Sequence, residues 1–131
     1  MKKAIQGIQV IEVPYRNMKR VRYRREFDDY KLCGTYYKAG VPFEVVQATY
    51  DHENYPLAEG EFFDYDPQVF GKALGKLCGS IGKEVEKGLR SGKCVLMTGG
   101  GCEHTVGVLG GMQRAFGPDK KIGLIWLDAH G

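Results

Sequence analysis

Several features that would assign this 131-residue chain to a class by composition alone are missing. No run approaches the roughly 18 apolar residues of a membrane-spanning helix, so insertion into a bilayer is not expected. The four cysteines, Cys33, Cys78, Cys94 and Cys102, form no CxxC pair and follow no secretory signal. That excludes a disulfide scaffold and implies reduced thiols in a cytoplasmic protein. Charge of one sign is also scarce. Nineteen Lys and Arg against 16 Asp and Glu leave +3, short of the field of a nucleic-acid binder. No repeat, low-complexity tract or linker divides the sequence.

What is present suits a globular protein. Hydrophobic residues make up 43% and charged residues 27% of the chain, and the length is that of one domain with a core. "AIQGIQVIEVPY" is rich in Ile and Val, is closed by Pro14, and predicts a first strand. A helix is expected over about residues 25–38, then a second strand at "FEVVQATY", then a polar, acidic loop through Asp66.

Asp66 and Pro67 form a cap and first position for the clearest helix, where Val69, Phe70, Ala73, Leu74, Leu77, Cys78, Ile81 and Val85 recur at steps of three and four. Gly71, Gly75, Gly79 and Gly82 weaken that helix, and are expected to let it lie close against a sheet. "KCVLMTGGG" reads as a third strand, "EHTVGVLGGMQRAFG" as a helix and "KKIGLIWLD" as a fourth strand. Wholly apolar strands alternating with helices predict an α/β fold, a three-layer α/β/α arrangement around a mainly parallel sheet.

The basic run from Arg16 to Arg25, interleaved with Tyr15 and Tyr23, has the makings of a phosphate-binding surface. Glu26, Asp28 and Asp29 follow it directly, so it is read as a solvated face and nucleic acid is not an expected partner. His52, between Asp51 and Glu53, is read as an exposed loop histidine.

In open α/β sheets the chemistry gathers at the carboxyl ends of the strands. The fourth strand would deliver Asp128 and His130 to one side, because strand side chains alternate with period two. The third runs into Gly99-Gly100-Gly101, a turn able to bring Cys102 or His104 towards its neighbour. Cys102, His104, Asp128 and His130 are therefore candidate metal ligands.

These two segments, "TGGGCEHTVGVLGG" and "IGLIWLDAH", resemble the ureohydrolase superfamily of arginase, agmatinase and formiminoglutamase. Its signatures are a GGDHS-like turn after one strand and DAHxD after the next. The resemblance is loose over the whole chain and close over residues 95–131. It implies a pair of manganese ions that ionise a water for attack on a guanidinium carbon, a poor electrophile. Asp128 and His130 match the first two ligands of DAHxD.

The glycine turn departs from the family pattern. Aligned without a gap on Gly107 and Gly111, Cys102 stands where the ligand histidine belongs, and its thiolate would favour Zn2+ over Mn2+. With a small insertion, His104 is the ligand and Cys102 a buried thiol. The last Asp of DAHxD would fall just after Gly131, and the family's later acidic cluster and substrate-binding residues do not occur in the sequence.

The chain is therefore expected to be an apparently truncated, N-terminal part of a single arginase-like α/β domain spanning 1–131. It would act on a small guanidino or linear amidine substrate, carry the first half of the metal site and be inactive alone. A homo-oligomer or a complementing C-terminal half is the expected partner. The alternative is a catalytically incompetent subunit or adaptor that works through protein–protein binding.

Overall fold

A computed structural model describes residues 5–16, 19–20, 33–38, 40–49 and 66–128. The acidic loop, His52, His130 and most of the basic run fall outside the described residues. So does most of the helix expected over 25–38, of which one turn is described, α1 (Thr35–Lys38).

The fold is α/β. Its sheet has the order β4 (Phe43–Gln47), β1 (Ile8–Val13), β5 (Cys94–Gly99), and both pairings are parallel. As the central strand, β1 is covered on both faces: Val10 and Ile11 are fully buried and Val13 nearly so. After Pro14 the chain forms a short antiparallel ladder, β2 (Tyr15–Arg16) with β3 (Lys19–Arg20), at the start of the basic run read as a solvated face. Tyr15 belongs to the core.

Parallel neighbours need a crossover, and β4 reaches β5 through α2 (Pro67–Arg90). Its start is as the sequence suggests: Asp66 Oδ1 accepts the Gln68 N–H at 2.8 Å, and Pro67 opens the first turn. Its end carries Lys87 and Arg90, which suit the carbonyl end of the helix dipole. Ala73, Leu77, Ile81 and Val85 form a buried stripe at steps of four against Ile11 and Val13. Each large side chain taken fully out of water here contributes about 1.5–3 kcal/mol.

The last helix, α3 (Thr105–Phe116), lies against α2, and Val108 and Met112 reach the same core. The contact rests on glycines, and of the four expected to face the sheet only Gly82 takes part, facing α3 instead, where a Cβ would stand 3.0 Å from the Gly107 carbonyl oxygen. A Cβ on Gly71, Gly75 or Gly79 would meet nothing within 4 Å. The closer approaches are at Gly107 and Gly111, where a Cβ would stand 2.7 Å from the Cys78 carbonyl oxygen and 2.5 Å from that of Gly82. Glu86 ties the helices further, accepting from Arg90 and Arg114 at 2.9 Å each. Those two hydrogen bonds hold its carboxyl below the usual range.

Residues 120–128, expected to be the fourth strand, join no ladder. Leu124, Ile125 and Leu127 are 57%, 89% and 93% exposed. A short apolar run has the composition of a buried strand but does not specify the backbone edge it pairs with, and that edge supplies the hydrogen bonds that make a strand.

Candidate metal centre

The turn after β5 begins with Gly99 and Gly100 at φ +77° and +79°, the left-handed region that glycine enters without strain. It continues as a single 3-10 turn, Cys102–His104, and leads directly into α3. Three consecutive side chains thus leave the end of a central-sheet strand in three different environments.

His104 is fully buried. Its Nδ1 accepts the Gly101 N–H at 2.7 Å, so the lone pair is on Nδ1 and the proton of the neutral ring is on Nε2. Nε2 finds no hydrogen-bond partner. Glu103 Oε1 lies 3.6 Å away, beyond a good hydrogen bond. Burial pushes the His104 pKa below its ordinary 6.5, with the Glu103 charge acting in the opposite sense. The ring is therefore neutral, and both nitrogens are committed, one to the turn and one to a proton.

Cys102 points the other way, into solvent and towards residue 128. Its thiol donates to Asp128 Oδ2 at 3.4 Å. That hydrogen bond, then burial and the Asp128 charge, raise the thiol's pKa above its ordinary 9.0. The Trp126 indole Nε1–H donates to the same oxygen at 3.2 Å. Cys102, Trp126 and Asp128, with Thr105, Val108, Leu124, Ile125 and Leu127, line an open cleft of about 390 Å³.

The structure therefore brings together two of the four sequence-derived candidates, Cys102 and Asp128. It seats a third, His104, in the turn behind them, and the fourth, His130, lies outside the described residues. Trp126 was not among the candidates. The period of two in "IWLDAH", which aligns Asp128 with His130, aligns Trp126 with them as well.

A family model described as the arginase family matches residues 14–131. The chain belongs to the arginase family. No curated protein and no solved structure matches it. Arginase-family membership makes this a chain of the ureohydrolase type, and such proteins act on guanidino substrates, generally with a pair of manganese ions, and are usually oligomeric.

A thiolate among the donors suits zinc better than the manganese general in the family. A tetrahedral zinc with a sulfur at about 2.3 Å and an oxygen at about 2.0 Å has a donor-to-donor edge of about 3.5 Å. The Cys102 Sγ to Asp128 Oδ2 separation of 3.4 Å agrees with that edge. Thiolate and carboxylate together make a donor set suited to a divalent transition metal. Among the described residues no group of three His, Cys, Asp or Glu stands close enough to hold an ion.

Proposed function

We propose that this arginase-family chain is part of a metal-dependent hydrolase that cleaves a carbon–nitrogen bond of a guanidino or related linear amidine substrate. The family match over residues 14–131 carries the reading, and the Cys102 Sγ to Asp128 Oδ2 contact at the turn after β5 marks where two of its donors meet. Asp128, His130 and Cys102 would hold the cation. His104, the other ligand candidate of the glycine turn, supports the turn through Gly101. The family's cation is Mn2+, and a Cys102 thiolate shifts the preference towards Zn2+.

Bound there, a divalent cation would supply a nucleophile near neutral pH by acidifying water. The chain's own groups have other tasks. Asp128 orients and neutralises; Cys102 gives up its proton on ligation, so metal affinity rises with pH. Thr105, Val108 and Leu124 form a partly apolar wall beside these donors, against which the aliphatic part of a substrate could lie.

On this reading the protein is cytoplasmic, as its unpaired cysteines suit. Cys102, Asp128 and His130 are fewer donors than a binuclear site requires, so these residues form one side of the centre, within a single arginase-like domain. These residues alone are not expected to support hydrolysis without the further ligands of the centre.

The test is a metal titration of wild type, Asp128→Asn and Cys102→Ser with Zn2+ and Mn2+. The reading expects each substitution to weaken binding at least tenfold, and Cys102→Ser to cost more for Zn2+ than for Mn2+. Unchanged affinities would sink it. A second reading, an adaptor without catalysis, is favoured by the exposed Leu124, Ile125 and Leu127. It predicts partner binding by a well-folded chain that takes up no metal.

A further inference from the structure

Two donors converge on one oxygen of Asp128: the Cys102 thiol at 3.4 Å and the Trp126 indole N–H at 3.2 Å. They differ in what happens when a cation arrives. A cysteine ligates as thiolate, so the S–H that now restrains the carboxylate is lost on binding. The indole N–H has no such fate, because it is a donor only and does not titrate.

A ligand carboxylate must present a fixed lone pair, and outer donors are what stop it from rotating. Trp126 is built for this. It sits two residues before Asp128, so an extended backbone aims both side chains to the same side. Its rigid ring has two side-chain torsions, which keeps the entropy of holding the donor in place low. The ring is half-exposed and forms part of the cleft wall with Thr105 and Val108.

We propose that Trp126 is a positioning residue whose indole N–H fixes the Asp128 carboxylate for metal binding. The inference rests on the reading of Asp128 as a ligand. The chain has a single tryptophan, so its emission reports on this one site.

The experiment measures Zn2+ and Mn2+ affinity of the full chain by calorimetry for wild type, Trp126→Phe and Asp128→Asn. Far-UV circular dichroism and thermal midpoints check each fold, and wild-type tryptophan emission is recorded along the same titration. Removing the N–H while keeping an aromatic ring should weaken binding about 10–100-fold at an unchanged midpoint. Wild-type emission should change saturably with the calorimetric isotherm and stay constant in Asp128→Asn.

If Trp126→Phe binds within twofold of wild type while Asp128→Asn does not bind, Trp126 has no positioning role and the metal reading stands. If Asp128→Asn binds as wild type does, the ligand reading fails and takes this inference with it. Should Trp126→Phe not fold, a wild-type emission indifferent to saturating metal overturns the proposal by itself.

Discussion

Gly100 sits at φ +79°, and a Cβ there would overlap Nδ1 of His104. Backbone and ring are therefore fitted to each other, and Gly100→Ala combines a strained conformation with a displaced imidazole. A cost of about 1–3 kcal/mol is expected, measurable by urea unfolding. The ring itself should reveal its role through pH. Burial lowers the folded-state pKa of His104 below 6.5. Above that value the ring is neutral in both folded and unfolded chains, and its stabilising effect is complete. As pH falls through 6.5 towards the lower folded pKa, the unfolded chain takes up a proton that the folded one resists, and stability declines. In metal-free protein the thermal midpoint should fall from pH 7.5 to pH 5. His104→Asn should have a shallower slope, because an amide oxygen can accept from Gly101 without titrating. Parallel slopes for the two proteins would show that His104 is not the group responsible.

At the scale of elements, the helix pair separates two kinds of glycine that look alike in sequence. Gly75 faces open space, whereas Gly111 is pressed onto the Gly82 carbonyl and onto Val85. Gly75→Ala should stabilise the protein by about 1 kcal/mol through helix propensity alone. Gly111→Ala should destabilise it by about 1–3 kcal/mol, because α3 must move off α2 to admit one methyl. Denaturant midpoints of the two variants moving in the same direction would contradict this packing. The contrast also shows what the sequence makes legible. Apolar runs located β1, β4 and β5, hydrophobic period located α2, and the Asp66-Pro67 pair marked its start, because these signals are local. Glycine carries no apolar signal, so nothing in the period distinguishes Gly111 from Gly75; contact between elements decides. The same holds at the site. The strand ends and the Asp-Ala-His motif pointed to Cys102 and Asp128, but the hydrogen bond from Gly101 that commits His104 to the turn depends on the path of a glycine backbone.

At the scale of the molecule, the apolar run 124–127 is the main mismatch between composition and environment. Its residues have the character of a core strand, yet Ile125 and Leu127 are 89% and 93% exposed. Among the described residues β5 also pairs on one side only, leaving an edge of backbone groups beside it. Exposed aliphatic side chains and an open strand edge are two ingredients of association: the edge supplies directional hydrogen bonds, and each buried Leu or Ile supplies about 1.5–3 kcal/mol. Two copies that bury this run against each other would hide several such side chains. That suits a family whose members are usually oligomeric. The purified chain should therefore self-associate with increasing concentration in sedimentation equilibrium. Replacing Ile125 with Lys and Leu127 with Glu should shift it towards monomer by at least tenfold in dissociation constant, since a charge buried at such a contact costs well over the 1.4 kcal/mol that a factor of ten requires. Neither side chain belongs to the core cluster, so helix content should not change. An unaltered association constant would mean that copies meet elsewhere. A lost helix signal would mean that the run supports the fold despite its exposure.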